Sequence, residues 1–276
     1  MINQLFYEFW EDSIPDVQSR DFDTGYLDVD LINDIVGIRR CGKTYTMFFL
    51  MKYLLEKKRI SKKQILYLNF ENRRLRPLRS EYFNNIIEFI YAEKLLDEFK
   101  KIYVFLDEIQ NMENWEKWVR SAYDEFKGRI KIIISGSNAN LLKKDYATLL
   151  TGRHLTINLY PLSFKEFLRF NNFKVGNKKV FTEKEKSLLA KYLGDYIKFG
   201  GFPEVVLSHR KEEILQQYFY DIITRDIISR EKIRKGASLI EEIGIYPISN
   251  TASLFSFRKI TNFFNSRGNK ISVPTL

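Results

Sequence analysis

The sequence predicts an α/β fold in which strands and helices alternate around a phosphate-binding loop, and three observations carry the prediction. Gly37-Ile-Arg-Arg-Cys-Gly-Lys-Thr44 fits the pattern of glycine, four residues, glycine, lysine, then serine or threonine. A short apolar run precedes it and a helical pattern follows it. Further on, the apolar run Ile102-Tyr-Val-Phe-Leu106 leads straight into two carboxylates, Asp107 and Glu108.

Each element follows from its own pattern. Phe6, Phe9 and Trp10 fit one face of an opening helix that packs on the core. Leu31–Val36 reads as a buried strand, and Met47, Leu50, Met51 and Leu54 give Thr44–Glu56 helical spacing. Gln64–Glu71 reads as a strand with a polar end, and Arg73, Arg74 and Arg76 before Pro77 mark a connection. Phe83, Ile86, Ile87, Ile90 and Leu95 predict one helix over Glu81–Phe99. After the strand Lys101–Glu108 come a helix over Trp115–Phe126 and a strand over Lys131–Ser137, then Ala147–Arg153, a strand over His154–Tyr160 and a helix capped by Ser163. From Phe181 the pattern is helical. It runs Thr182–Phe199, a break at Gly200-Gly-Phe-Pro203, Lys211–Arg230, and shorter segments at Leu239–Ile245 and Ser256–Phe264. Ser272-Val-Pro-Thr-Leu276 carries the signals of a helix start, so the chain is expected to be cut from a longer parent.

The residue types at the loop match anion chemistry. Gly37 and Gly42 permit backbone angles closed to other residues, so successive amides can turn toward phosphate oxygens. The following helix points its positive end the same way. Gly37, Ile38, Arg39, Arg40, Cys41, Gly42, Lys43, Thr44 and Tyr45 are therefore the expected phosphate contacts. Lys43 should reach the β- and γ-phosphates, and the Thr44 hydroxyl should ligate Mg²⁺. Asp107 would hold the Mg²⁺ of Mg-ATP and Glu108 would polarise the attacking water. The pair stands 65 residues beyond Lys43, with a helix, a strand and a helix between. Tyr103, Phe105, Trp115 and Trp118 read as packing residues rather than a base-stacking platform.

Composition bounds the alternatives. With 276 residues, 45% apolar and 29% charged, the chain can hold two packed domains. No apolar run reaches membrane-span length, the first residues lack a signal-peptide pattern, and Cys41 is the single cysteine. A soluble cytoplasmic protein is expected. Lysine and arginine number 45 against 35 acids, a balance that permits attraction to nucleic acid. The runs Lys57-Lys58-Arg59, Lys62-Lys63 and Lys178-Lys179 read as solvated faces. His154 and His209 have no ligand spacing, so no zinc site is expected.

Together these residues resemble the AAA-type P-loop ATPases, in particular their archaeal-type, STAND-like branch. The motifs, in order, are Gly37–Thr44, Phe105-Leu-Asp-Glu-Ile-Gln110, Ser135-Gly-Ser137, Thr151-Gly-Arg153, Tyr160-Pro-Leu-Ser-Phe164 and Gly200-Gly-Phe-Pro203. The resemblance implies a parallel sheet with the loop strand central, sandwiched by helices. It implies a P-loop ATPase core over 1–165, a helical lid over 166–234 and a partial winged-helix module over 235–276. It also implies Mg-ATP hydrolysis, with Pro203 near the adenine and ribose. Ser137 or Asn138 fits a γ-phosphate sensor and equally a helix N-cap. Arg153 fits a charge-stabilising catalytic arginine and equally a helix C-terminal cation. The expected cofactors are ATP and Mg²⁺, with DNA or a protein as a further partner. The competing reading is a nucleic-acid-binding protein that keeps ATP as a structural ligand. A phosphate-transferring kinase fits less well, because such enzymes seldom need the Asp107-Glu108 pair.

Overall fold

The computed structural model describes residues 1–137, 150–173, 180–229 and 236–273 except 252, 255 and 270. The chain divides into two compact units, Met1–Ser208 and His209–Leu276.

In the first unit five strands form one sheet in the order β2-β3-β4-β1-β5. They are β1 (Ile32–Gly37), β2 (Ile65–Asn69), β3 (Ile102–Asp107), β4 (Ile130–Ser137) and β5 (His154–Leu159). Every pairing is parallel. All-parallel strands must be covered on both faces, and the two core clusters supply that cover. Ile32 and Val36 of β1, Val104 and Leu106 of β3, and Ile132 and Ile134 of β4 face α1 (Ile2–Glu11), α3 (Glu81–Ala92) and α5 (Trp115–Glu125). Ile35, Phe105 and Ile133 face Met47, Leu50, Met51 and Leu54 of α2 (Lys43–Glu56). The polar Asp34 lies fully buried between β1 and β5, satisfied by His154 Nδ1 at 3.0 Å and the Thr156 hydroxyl at 2.7 Å.

The aromatics pack as expected. Phe6 meets Phe89, Trp118 stacks on Phe83 at 4.6 Å, and Phe9 and Phe48 flank Tyr67. One expected helix is two: α3 ends at Ala92, Lys94 turns with φ 52°, and α4 (Leu95–Glu98) follows. That turn aims Leu95 into the core.

After β5 come α6 (Phe164–Phe170), α7 (Glu183–Phe199) and α8 (Pro203–Leu207). The predicted Ser163 cap forms, as a reciprocal capping box with Glu166, and Thr182 makes another with Glu185. These helices stay with the sheet unit, whose border falls after residue 208. The reason is local. Leu162 N–H donates to the Gly201 carbonyl at 2.6 Å and the Tyr196 hydroxyl donates to the Leu162 carbonyl at 2.8 Å, which ties the connection after β5 to the start of α8.

The second unit contains α9 (Lys211–Asp221), which continues as a π-helix over Ile222–Ser229, then α10 (Ala237–Ser249) and α11 (Phe257–Asn265). Its core is Tyr246, Ile260, Phe264 and Ile271. Lys178-Lys179 and the final residues of the expected last helix, 274–276, lie outside the described residues.

Candidate active site

The sheet order places the loop where strand connections diverge, since β1 leads across β4 and β3 to β2 while β5 lies on its other side. Ligands of open α/β sheets bind at the carboxyl ends of strands in such a crevice. Side-chain alternation then selects one face. Tyr67 of β2, Asp107 of β3 and Ser135 of β4 all point to the α2 side, at the strand ends nearest the first turn of α2.

Three hydroxyls converge on Asp107. Thr44 Oγ1 donates to Oδ2 at 2.7 Å, Tyr67 OH donates to Oδ2 at 3.2 Å, and Ser135 Oγ donates to Oδ1. Asp107 is fully buried, and burial pushes its carboxyl pKa upward against the opposing pull of the Ser135 and Thr44 bonds. The Tyr67 phenol is likewise pushed up, first by burial and then by the Asp107 charge. Beside them the Lys43 ammonium stands 3.5 Å from Glu108 Oε1 and donates to the Gly37 and Ile38 carbonyls at 3.3 and 3.4 Å. Glu108 takes a left-handed φ of 52°, and its N–H donates to Ser135 Oγ at 3.1 Å.

The two loop glycines serve different needs. Gly42, the N-cap of α2, has φ 99°, a conformation that favours glycine. Gly37 does not lie in that region, which corrects the expectation for it. Its constraint is space, because a Cβ there would meet the Leu159 carbonyl at 2.4 Å and Cys41 Sγ at 2.6 Å. Cys41 itself is buried under the loop and burial raises its thiol pKa, so its side chain is core while its backbone belongs to the loop. Arg39 pairs with Glu71 and Arg40 with Glu204, both at 3.7 Å, while Ile38 and Tyr45 are exposed. Pro203 Cγ lies 3.6 Å from where a Gly42 Cβ would stand, which brings the start of α8 to the loop.

One further expectation changes. Arg153 does not join this constellation. Its carbonyl accepts from Ile32 N–H at the opposite end of β1, and its guanidinium pairs with Asp124 at 2.8 Å. β5 runs parallel to β1, so its first residues stand a full strand length from the loop. Ser137 lies opposite Gly37 in register, but the residue on β4 that touches both acids is Ser135. Asn138 falls outside the described residues.

Sequence reasoning also missed Arg20. Its guanidinium holds Glu166 Oε1 at 3.0 Å, the Cys41 carbonyl at 3.0 Å and the Tyr160 carbonyl at 2.9 Å. Arg20 thus fastens the loop to the connection after β5. A cleft of about 600 Å³, lined in part by Arg20, Tyr26, Asn158 and Tyr160, runs along the outer edge of β5. Nothing in the run before Arg20 marks it, whereas Tyr67 could have been found by counting back along its strand from the polar end.

The donor set fits a magnesium nucleotide. Thr44 and Asp107 offer hard oxygens, Lys43 offers a buried cation, and the Gly37 and Gly42 cradle is one that a Cβ would fill or strain.

A family model described as an AAA domain matches residues 30–168, half of the chain. An uncharacterized Methanocaldococcus jannaschii protein, MJ1544, is 38% identical over 247 residues, covering 87% of this chain and 52% of its own. An uncharacterized Haemophilus influenzae protein is 36% identical over 253 residues, covering 91% of this chain and 58% of its own. The chain therefore spans only a little over half the length of these relatives. A solved structure of Caenorhabditis elegans PCH-2 aligns over 97% of this chain and 66% of that one, at 15% identity and a TM-score of 0.34. With its parallel sheet flanked by helices, the first unit is an α/β P-loop NTPase fold.

Proposed function

The chain belongs to the AAA-domain family, and from that premise we propose that it binds Mg-ATP, hydrolyses it to ADP and phosphate, and works as a nucleotide-dependent switch. The observation that carries this reading is the pair of contacts across the first turn of α2, Thr44 to Asp107 at 2.7 Å and Lys43 to Glu108 at 3.5 Å. They bring a metal-ligand set and a cation with a water-polarising carboxylate into one buried corner.

In this reading the amides of Gly37 to Thr44 and the Lys43 ammonium hold phosphate, Thr44 and Asp107 hold Mg²⁺, and Glu108 orients the attacking water and takes up its proton. The Mg²⁺ held there would supply Lewis-acid stabilisation of charge on the phosphate. Ser137, at the tip of β4 beside Gly37, is proposed to meet the γ-phosphate, and Pro203 to flank the base and ribose. Arg40 to Glu204 links the loop to α8, so phosphate binding and the position of α8 are coupled. Arg153, at the far end of the sheet, could act only on the site of a neighbouring copy. The archaeal-type branch, a lid beginning near residue 166 and a winged-helix character for 235–276 are part of this proposal, supported by the order of the motifs. A cytoplasmic setting is also part of the proposal; among the described residues no helix is long and apolar enough to cross a membrane.

A nucleic-acid partner is favoured by one further observation. The connection after β2 carries Arg73, Arg76 and Arg79, all exposed, at the same sheet end as Asp107. The net charge of +10 has the matching sign. In the alternative reading, ATP is a structural ligand of such a binder and turns over little.

Phosphate release from Mg-ATP by wild type and by Glu108→Gln, with and without duplex DNA across salt concentrations, tests both. Turnover lost in the variant with ATP still bound supports hydrolysis by this site. Stimulation by DNA that fades with salt ties the switch to nucleic acid. Salt-sensitive DNA binding with no turnover in either protein favours the alternative.

A further inference from the structure

The Lys43 ammonium has three protons to give and, among the described residues, three acceptors around it: the Gly37 carbonyl, the Ile38 carbonyl and Glu108 Oε1. The first two are backbone of the loop. Glu108 is the one acceptor on a side chain, so it is the one that can leave when a phosphate oxygen arrives. Its other oxygen, Oε2, accepts from Gln110 Nε2 at 2.5 Å. Gln110 sits in a single 3-10 turn over Ile109–Asn111 that follows Glu108, and its Oε1 is buried with no hydrogen-bond partner among the described residues.

We propose that Gln110 is a positioning residue that holds Glu108 on Lys43 until a γ-phosphate replaces it, so that recognition of ATP over ADP and release of the water-activating carboxylate are one event. The inference rests on the ATP reading above and adds to it. The pair is buried, with the Lys43 side chain 3% and the Glu108 side chain 17% exposed, so Lys43 cannot give up Glu108 without another anion in its place. ATP brings that anion as its γ-phosphate. ADP meets Lys43 with its β-phosphate from the loop side only, leaves the γ position empty, and so coexists with the Lys43–Glu108 pair. Once displaced, the carboxylate exchanges its Lys43 and Gln110 bonds for the attacking water. The unpartnered Gln110 Oε1 then supplies a second acceptor for a water that donates to Glu108. The Glu108 N–H bond to Ser135 and its left-handed backbone fix the pivot of this movement.

The test measures ATP and ADP affinities of the full chain by titration calorimetry in EDTA, where metal-dependent turnover is stopped, for wild type, Glu108→Gln and Gln110→Leu. Both variants weaken the grip on Lys43, so ATP should bind about tenfold more tightly and ADP no more than about twofold. With Mg²⁺ restored, Gln110→Leu should turn over at least about tenfold more slowly although its ATP affinity has risen. A loosened fold lowers both quantities and cannot give that split. Equal gains for ATP and ADP, or no gain in either variant, would overturn the proposal. Glu108→Gln is isosteric and decides the affinity half even if Gln110→Leu does not fold. A wild type that binds neither nucleotide would remove the ATP reading and this inference together. A wild type that hydrolyses ATP, with an ATP to ADP affinity ratio unchanged in both variants, would remove this inference alone.

Discussion

The buried hydroxyl of Ser135 donates to the Asp107 carboxylate while accepting the backbone N–H of Glu108 at 3.1 Å, so one side chain sets the orientation of both acids. Among the described residues, only Ser135 and Tyr67 can keep Asp107 fixed once Thr44 turns to a metal. Ser135→Ala should reduce Mg²⁺-dependent turnover by about 10- to 100-fold, the usual cost of losing a group that orients a metal ligand. Nucleotide affinity in EDTA should stay within about twofold of wild type. Steady-state kinetics across Mg²⁺ concentration reads the difference, and an unchanged Mg²⁺ requirement would show that Asp107 needs no such support.

Arg20 predicts a stability effect with a pH signature. The Arg20 and Glu166 side chains are 10% and 6% exposed, and the guanidinium also carries the Cys41 and Tyr160 carbonyls. Arg20→Ala leaves a buried carboxylate unpaired, which should cost about 3–5 kcal/mol in denaturant melts. Replacing both residues by methionine should recover part of it. Burial alone would raise the Glu166 pKa, but the bonds from Arg20, Ser163 and Asp21 outweigh it and hold it low. A lowered carboxyl pKa contributes stability above the ordinary carboxylate range and loses it as pH falls through the folded value. Acid unfolding of Arg20→Ala should therefore begin at higher pH than that of wild type.

The contrast between these two residues shows what the sequence could and could not reveal. The loop, the paired acids and all five strands stand out because each is a local pattern: an apolar run with a polar end, an alternating run, or glycines at fixed spacing. Glu166 is legible as the last residue of a Ser163 capping box, yet its partner lies 146 positions away in a segment without periodicity. Gly37 was legible as a glycine but not for the right reason, since the crowding comes from Leu159 on a strand 122 positions later. Arg153 misled because a glycine and arginine before a strand mark a chain direction, not an end of the sheet. Only the parallel register of β5 with β1 settles which end that is.

Gly201 offers a test of how α8 reaches the loop. A Cβ at Gly201 would lie 2.3 Å from the Leu162 carbonyl, a backbone atom that cannot step aside cheaply. Gly201→Ala should cost at least about 1–3 kcal/mol through overpacking. Because Pro203 follows two residues on, the variant should also raise the KM for ATP. Pro203→Ala keeps the Gly201 contact and should raise KM with little loss of melting temperature.

Lys131 carries the last prediction. It lies on the α2 side of β4 at the end away from the loop, 1% exposed, and its ammonium donates to the carbonyls of Tyr26 at 3.2 Å, Val29 at 2.6 Å and Leu31. Those bonds close the segment before β1 onto the sheet. Lys131→Met removes all three donors and should destabilise the fold by about 2–3 kcal/mol at neutral pH. Burial lowers the Lys131 pKa to about 8, with the Lys101 charge acting in the same direction. Between that value and the ordinary lysine pKa near 10.4, the unfolded chain binds the proton that the folded chain has released. Stability attributable to Lys131 therefore rises with pH through that window, by at most about 3 kcal/mol. The realised gain should be smaller, because a neutral amine keeps only two donors for three carbonyls. Urea melts of wild type and Lys131→Met from pH 7 to 10.5 isolate the effect as the difference between two curves, since every other titrating group is common to both. A gap between the curves that stays constant across the window would mean that Lys131 remains an ammonium throughout, held there by its three carbonyls against the cost of burial.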